Sequence, residues 1–168
     1  MLKGREILSL PVVTLDDKKQ LGEVKDIIYD PSQNRILGYI VENCGWLKDG
    51  KAFLHRDLLR REEACLVIRD ESVIKNISSF PDLKEALDHC KDIRGWQIEY
   101  DDGRYIGVIQ DLLIEETSGK ITGYEISDGV IQDLLNGRTT VSNQKIQIQC
   151  DKLVALEELV LINNWKGE

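Results

Sequence analysis

The chain has 168 residues, with 22 basic and 30 acidic side chains and a net charge of −8. That length suits one ordinary domain or two small ones, and 42 % apolar with 31 % charged residues excludes a disordered chain. The longest apolar run, Ile36 to Val41, is strand-sized and falls far short of the roughly 20 residues a membrane helix needs.

Met1 to Val13 lacks an apolar signal core and contains Pro11, which points to a cytoplasmic protein. An apolar stretch then meets Asp16-Asp17-Lys18-Lys19, which is turn chemistry. A strand is predicted from Leu21 to Tyr29, a turn at Pro31-Ser32-Gln33-Asn34, and a third strand from Ile36 to Val41. The glycines of Cys44-Gly45-Trp46-Leu47-Lys48-Asp49-Gly50 make a loop. Its Trp46 is a candidate partner-binding residue, because tryptophan dominates interface energetics. The alternative is that Trp46 and Leu47 cap an open barrel end.

Short strands follow near Ala52–Leu54 and Cys65–Arg69, with Cys65 read as a core residue. Between them Arg56, Arg60 and Arg61 form a basic spot, interleaved with Asp57, Glu62 and Glu63. It reads as a solvated face rather than an RNA site. Pro81 and an acidic first turn then open a helix through Cys90. Leu83, Ala86, Leu87 and Cys90 share one face by helical spacing. This helix is predicted to link two halves and to pack on one of them.

The second half repeats the first. Shifted by 85, residues 11–41 fall on 96–126 without a gap, with seven identities in 31 positions. These are Asp16/Asp101, Asp17/Asp102, Gly22/Gly107, Asp26/Asp111, Ile36/Ile121, Gly38/Gly123 and Tyr39/Tyr124. Strands are therefore expected at Ile106–Ile114 and Ile121–Ser127, with further strands near Ile146–Gln149 and Leu153–Leu156. Asn34 and Gly119 occupy the same turn position, and both types tolerate a left-handed backbone. Short strands with regular turns suggest small antiparallel barrels, which close their own edges. The expected organisation is a mainly β chain: a first barrel at 1–77, a linker helix at 78–92 and a second barrel at 93–168.

The third strands set one face against the other. Leu37, Tyr39 and Val41, with Thr122, Tyr124 and Ile126, should face the interior. Ile36, Gly38 and Ile40 alternate with them, and Glu125 replaces Ile40 in the second copy. That replacement predicts a wet face there, and leaves Ile40 outside the first copy as a second candidate partner-binding residue. The partner barrel, the helix or another chain could cover it.

Candidate chemistry is sparse. Asp26 and Asp111 could act as acid or base, but a carboxylate just inside a strand more often accepts backbone N–H bonds at a bulge or turn. Cys44, Cys65, Cys90 and Cys150 contain no C-x-x-C pair, and His55 and His89 have no ligand-spaced companion. No catalytic set, cofactor site or metal site is expected.

The repeated unit resembles the PRC-barrel family. The likeness rests on Leu21-Gly22-x-Val24-x-Asp26-Ile27-Ile28-x-Asp30 with Ile36-Leu37-Gly38-Tyr39. It recurs as Ile106-Gly107-x-Ile109-x-Asp111-Leu112-Leu113-x-Glu115 with Ile121-Thr122-Gly123-Tyr124. Asp128 to Arg138 also looks like the two-barrel bacterial members. The family includes the cytoplasmic domain of the reaction-centre H subunit, the C-terminal domain of ribosome maturation factors and small sporulation-associated proteins. It has no shared catalytic residues, and its members act as adaptors. The resemblance implies Gly22, Asp26, Gly38, Tyr39, Gly107, Asp111, Gly123 and Tyr124 as structural residues, and a binding role rather than an enzymatic one.

Charge refines that expectation. Residues 1–80 carry 13 basic and 13 acidic side chains, while residues 81–168 carry 9 and 17. An acidic second half repels nucleic acid and attracts a basic protein. The leading expectation is a protein-binding adaptor with no membrane contact. Alternatives are a small-molecule or metal-dependent activity between the barrels, or a homo-oligomer built on the Ile40 face.

Overall fold

A computed structural model describes residues 1–42, 49–89, 92–128, 139–149, 152–159 and 162–163. The loop expectation for Trp46, the cysteines 44, 90 and 150, and most of the 128–138 segment lie outside the described residues.

The fold is mainly β with one α-helix among the described residues. In chain order the elements are β1 (Leu2–Lys3), β2 (Pro11–Thr14), β3 (Gln20–Glu23), β4 (Asp26–Asp30), β5 (Arg35–Glu42), β6 (Lys51–Leu54), β7 (Leu58–Glu62), β8 (Cys65–Ile68), β9 (Lys75–Asn76) and α1 (Pro81–His89). Then come β10 (Gln97–Tyr100), β11 (Tyr105–Ile114), β12 (Ile121–Ser127), β13 (Thr139–Ser142), β14 (Ile146–Gln149), β15 (Lys152–Ala155) and β16 (Ile162–Asn163). The chain forms two compact units. One is Gly4–Lys91 with Glu116–Lys120; the other is Met1–Lys3 with Asp92–Glu115 and Ile121–Glu168. The helix expected as a linker thus falls inside the first unit, and residues 1–3 inside the second. No helix among the described residues is long and apolar enough to cross a membrane.

The first unit holds two four-stranded sheets, β3-β2-β8-β7 and β4-β5-β6-β9. The second holds one eight-stranded sheet, β14-β15-β10-β11-β12-β13-β16, with β1 paired to β11. Two of the three sheets are mixed, not purely antiparallel as expected: β8 runs parallel to β2, and β15 parallel to β10, while β4-β5-β6-β9 is antiparallel throughout. A parallel neighbour needs a long crossover, and here the rest of each copy supplies it.

The two copies use one hydrogen-bonding plan. Ile27 pairs with Tyr39 and Ile28 with Gly38, as Leu112 pairs with Tyr124 and Leu113 with Gly123. The register slips at Ile28/Tyr29 and at Leu113/Ile114, the same place in both. The second strand of each copy also bends at one site. The Val24 N–H donates to Leu10 O (2.9 Å) and the Lys25 N–H to Ile40 O (2.7 Å), so the strand changes neighbours between them. Ile109 N–H likewise donates to Trp96 O (2.9 Å), and the register slips before Asp111. In the first copy this bend separates β3 from β4; in the second, β11 stays continuous.

The first strand corrects the ungapped alignment. Val12 lies opposite Gly22 and beside Leu66, whereas Ile98 lies opposite Gly107 and beside Leu153. Val12 therefore matches Ile98, 86 residues on, and the second copy's turn is one residue shorter. Both side chains are fully buried, as this equivalence requires.

Ile40 is not free for a partner. It is 9 % exposed and packs with Ile28, Ala52 and Ile77 beneath Leu83 and Ala86 of α1. The helix is thus the cover. Leu87, expected on the buried face, is 47 % exposed. Glu125 overturns the expected wet face: it is 0 % exposed and forms an ion pair with Lys3 of β1. Cys65 is half-buried rather than core, with its thiol 3.7 Å from Glu62 Oε2.

Candidate functional site

The motif glycines are placed by close strand approach. A Cβ on Gly38 would lie 2.6 Å from Phe53 O and press on Leu83. One on Gly107 would lie 2.7 Å from Ser127 O, and one on Gly123 would run into Val141 O. Gly22 is the exception, with only an ordinary 3.6 Å contact to Val41 O. The residue after each third-strand glycine is the interior tyrosine. Burial raises the Tyr39 hydroxyl pKa well above its ordinary value and pushes that of Tyr124 up to about 12.

The matched carboxylates are committed to the backbone. Asp26 Oδ1 accepts from the Ile27 N–H and Asp111 Oδ1 from the Leu112 N–H, each at 2.8 Å. Asp111 is buried and Asp26 half-buried. The turn aspartates behave similarly: Asp17 Oδ1 accepts from the Lys19 N–H at 3.2 Å, and Asp102 Oδ1 from the Arg104 N–H at 2.9 Å. The repeat therefore brings these acids together with backbone donors rather than with one another.

Polar chemistry gathers elsewhere, at the end of β6. The Tyr39 hydroxyl and His55 Nδ1 are hydrogen-bonded at 2.8 Å, and the Tyr39 ring also meets Phe53, with centroids 5.1 Å apart. Burial holds the His55 imidazole below its ordinary pKa, so it stands neutral at physiological pH. Its other nitrogen abuts Gly119, where a Cβ would lie 2.5 Å from Nε2. Gly119 in turn accepts from the Ile36 N–H at 2.9 Å. The segment 116–120 is so fixed within the first unit.

Two cavities adjoin at this point. One of about 220 Å³ is lined by Arg35, Leu37, Leu54, His55, Arg56 and Ser118, among others. The second, of about 440 Å³, runs along β7 and shares His55, Arg56 and Ser118 with the first. The basic spot of the sequence supplies its walls. Arg61 reaches Glu116 at 3.6 Å, while Arg60 and Lys18 share Glu62 Oε1 at 2.9 and 2.8 Å. Hydrogen bonds from Lys18 first, then Arg60, lower the Glu62 pKa to about 2. Arg56 is exposed and has no ion-pair partner among the described residues. The sequence shows these arginines, but Arg35 and the 116–118 wall are brought to them only by the fold. Among the described residues no three His, Cys, Asp or Glu side chains converge on a metal-sized site.

A family model described as PRC-barrel domain matches the chain twice, over residues 1–76 and 87–154. No curated protein matches the sequence.

Proposed function

The chain belongs to the PRC-barrel family, twice over, and from that membership we propose that it is a non-enzymatic cytoplasmic adaptor that binds a protein with a basic surface. In this reading each copy closes into a small barrel: the bent second strand turns one corner, and the 3-10 turn at His55–Asp57 or Asn143–Lys145 turns another. The frame itself is the inert part. Its recurrent carboxylates are spent on backbone N–H groups.

The observation that carries the reading is the distribution of charge. The whole excess of −8 lies in residues 81–168, whereas residues 1–80 balance. Part of it stands on α1, which buries Leu83 and Ala86 and leaves Asp82, Glu85 and Asp88 exposed. Lys84 is exposed on the same helix, so the face is predominantly rather than wholly acidic; an excess of one sign steers an oppositely charged partner and makes the contact salt-dependent.

Immobilised protein is expected to retain a basic protein from its native lysate at low salt and to release it at high salt. The variant Asp82→Lys, Glu85→Lys, Asp88→Lys should retain it poorly. If nothing basic is held even at low salt, the reading fails.

A further inference from the structure

The edge of β7 carries chemistry of the opposite sign. In its sheet β7 is the last strand, paired only to β8, through Leu58↔Ile68, Arg60↔Val67, Arg61↔Leu66 and Glu62↔Cys65. No strand among the described residues pairs with its other edge. The 440 Å³ cavity is lined by Leu58, Leu59, Arg60 and Arg61, four residues in a row. Side chains of a strand alternate between faces. The register of β7 slips between Leu58 and Arg60, which breaks that alternation, and the end position of β7 leaves one backbone edge without a strand partner among the described residues. Its far wall is the turn segment Glu116 to Ser118.

The charges beside this edge are under-compensated. Arg60 and Lys18 share one carboxylate, Glu62. Arg61 has only the 3.6 Å contact to Glu116, and its Nε is buried without a hydrogen-bond partner among the described residues. Arg56 and, in the adjoining cavity, Arg35 have no ion-pair partner among them. Asp57 and Glu63, neighbours in sequence, do not line the cavity. Leu59, 45 % exposed, adds an apolar contact. The matching end strand of the second copy, β14, reads Ile146-Gln147-Ile148-Gln149 and carries no charge. The arginines are therefore particular to this edge and not part of the common frame.

We propose that the outer edge of β7 receives an extended acidic segment of a partner protein as an added strand, its carboxylates met by Arg56, Arg61 and Arg35. Backbone pairing supplies the register, and the guanidinium groups select acidic over basic segments. This site lies along β7 rather than on α1, although Asp82 of α1 lines the adjoining cavity with Arg35 and Arg56.

The test uses the full chain and three probes: the peptide acetyl-Val-Glu-Val-Glu-Val-Glu-amide, its lysine counterpart, and inorganic phosphate. Amide spectra and titration calorimetry at low salt report binding. The glutamate peptide should shift and protect the amides of Leu58 to Glu62, and the lysine peptide should not. Arg56→Gln and Arg61→Gln should each weaken the glutamate peptide at least tenfold. Arg56 is exposed and has no ion-pair partner among the described residues, so the first variant leaves the fold intact. Three results would overturn the proposal: no binding of the glutamate peptide at millimolar concentration, equal binding by Arg56→Gln, or the same amide shifts from phosphate alone, which would mean a bare anion site. Asp82 shares the adjoining cavity with Arg35 and Arg56, so the acidic face is tested apart from β7 by Glu85→Lys with Asp88→Lys, residues that line neither this cavity nor the one along β7; failure of one docking surface is then separable from failure of the other.

Discussion

Six described residues hold the backbone at positive φ, and they fall into three matched pairs. Ser9 (66°) answers Gly95 (87°), Lys18 (55°) answers Gly103 (84°), and Asn34 (52°) answers Gly119 (67°). The first copy tolerates a side chain at each place and the second uses glycine. A left-handed backbone strains a side chain such as serine, so Ser9→Gly should raise stability by about 0.5–1 kcal/mol after the entropic cost of glycine. Denaturant midpoints check this. Gly119→Ala should cost about 1–3 kcal/mol, because the methyl group would meet His55 Nε2 as well as the strained backbone. Of these pairs the sequence reveals Asn34/Gly119 through its turn chemistry, but not Ser9/Gly95, since serine has no strong left-handed preference. His55 adds a pH signature. Burial lowers its pKa in the folded state, while the unfolded chain titrates near about 6.5. Acid therefore protonates the unfolded state first. The stability tied to neutral His55 is complete above about pH 6.5 and is lost as pH falls through the lower folded value. His55→Gln should flatten the decline between about pH 7.5 and 5 in urea midpoints; an equal decline in both proteins would clear His55.

At the scale of elements, equivalent outer faces are covered in different ways. In the first copy α1 lays Leu83 and Ala86 over Ile40; in the second, Lys3 of β1 neutralises buried Glu125. Leu83 is fully buried, so Leu83→Ala should cost about 2–4 kcal/mol, whereas Leu87→Ala on the exposed side should stay within about 0.5 kcal/mol. Thermal or denaturant unfolding of both variants checks the pair. Lys3→Met removes an ion pair from a buried carboxylate and should cost about 1–3 kcal/mol. Adding Glu125→Ile, the residue type of the first copy, should recover most of that loss, as a double-mutant cycle would show. Alternation along the third strand correctly places Tyr39 and Tyr124 inside. It cannot reveal that Glu125 is also buried, because the compensating lysine lies more than a hundred residues away in sequence and reaches it through β1.

Across the whole molecule, the repeat was readable because turns and apolar positions recur from Gly22/Gly107 onward at a constant shift. The first strand escaped that shift. The connections 15–19 and 101–104 share two aspartates yet differ by one residue in length, and identities in the turn pull the strand before it out of step. The parallel strands β8 and β15 left no local mark, since their partners lie at the far end of each copy. The cavity beside β7 was half legible: its arginines stand together in sequence, while its far wall comes from residues 116–118. All of this depends on one β unit used twice with the same pairing plan. Cross-strand proton–proton contacts in the full chain measure that plan directly. Contacts from Val12 to Leu66 and Gly22 are expected, with matching contacts from Ile98 to Leu153 and Gly107. Contacts that place Gln97 opposite Gly107, or an antiparallel last strand in either copy, would contradict it.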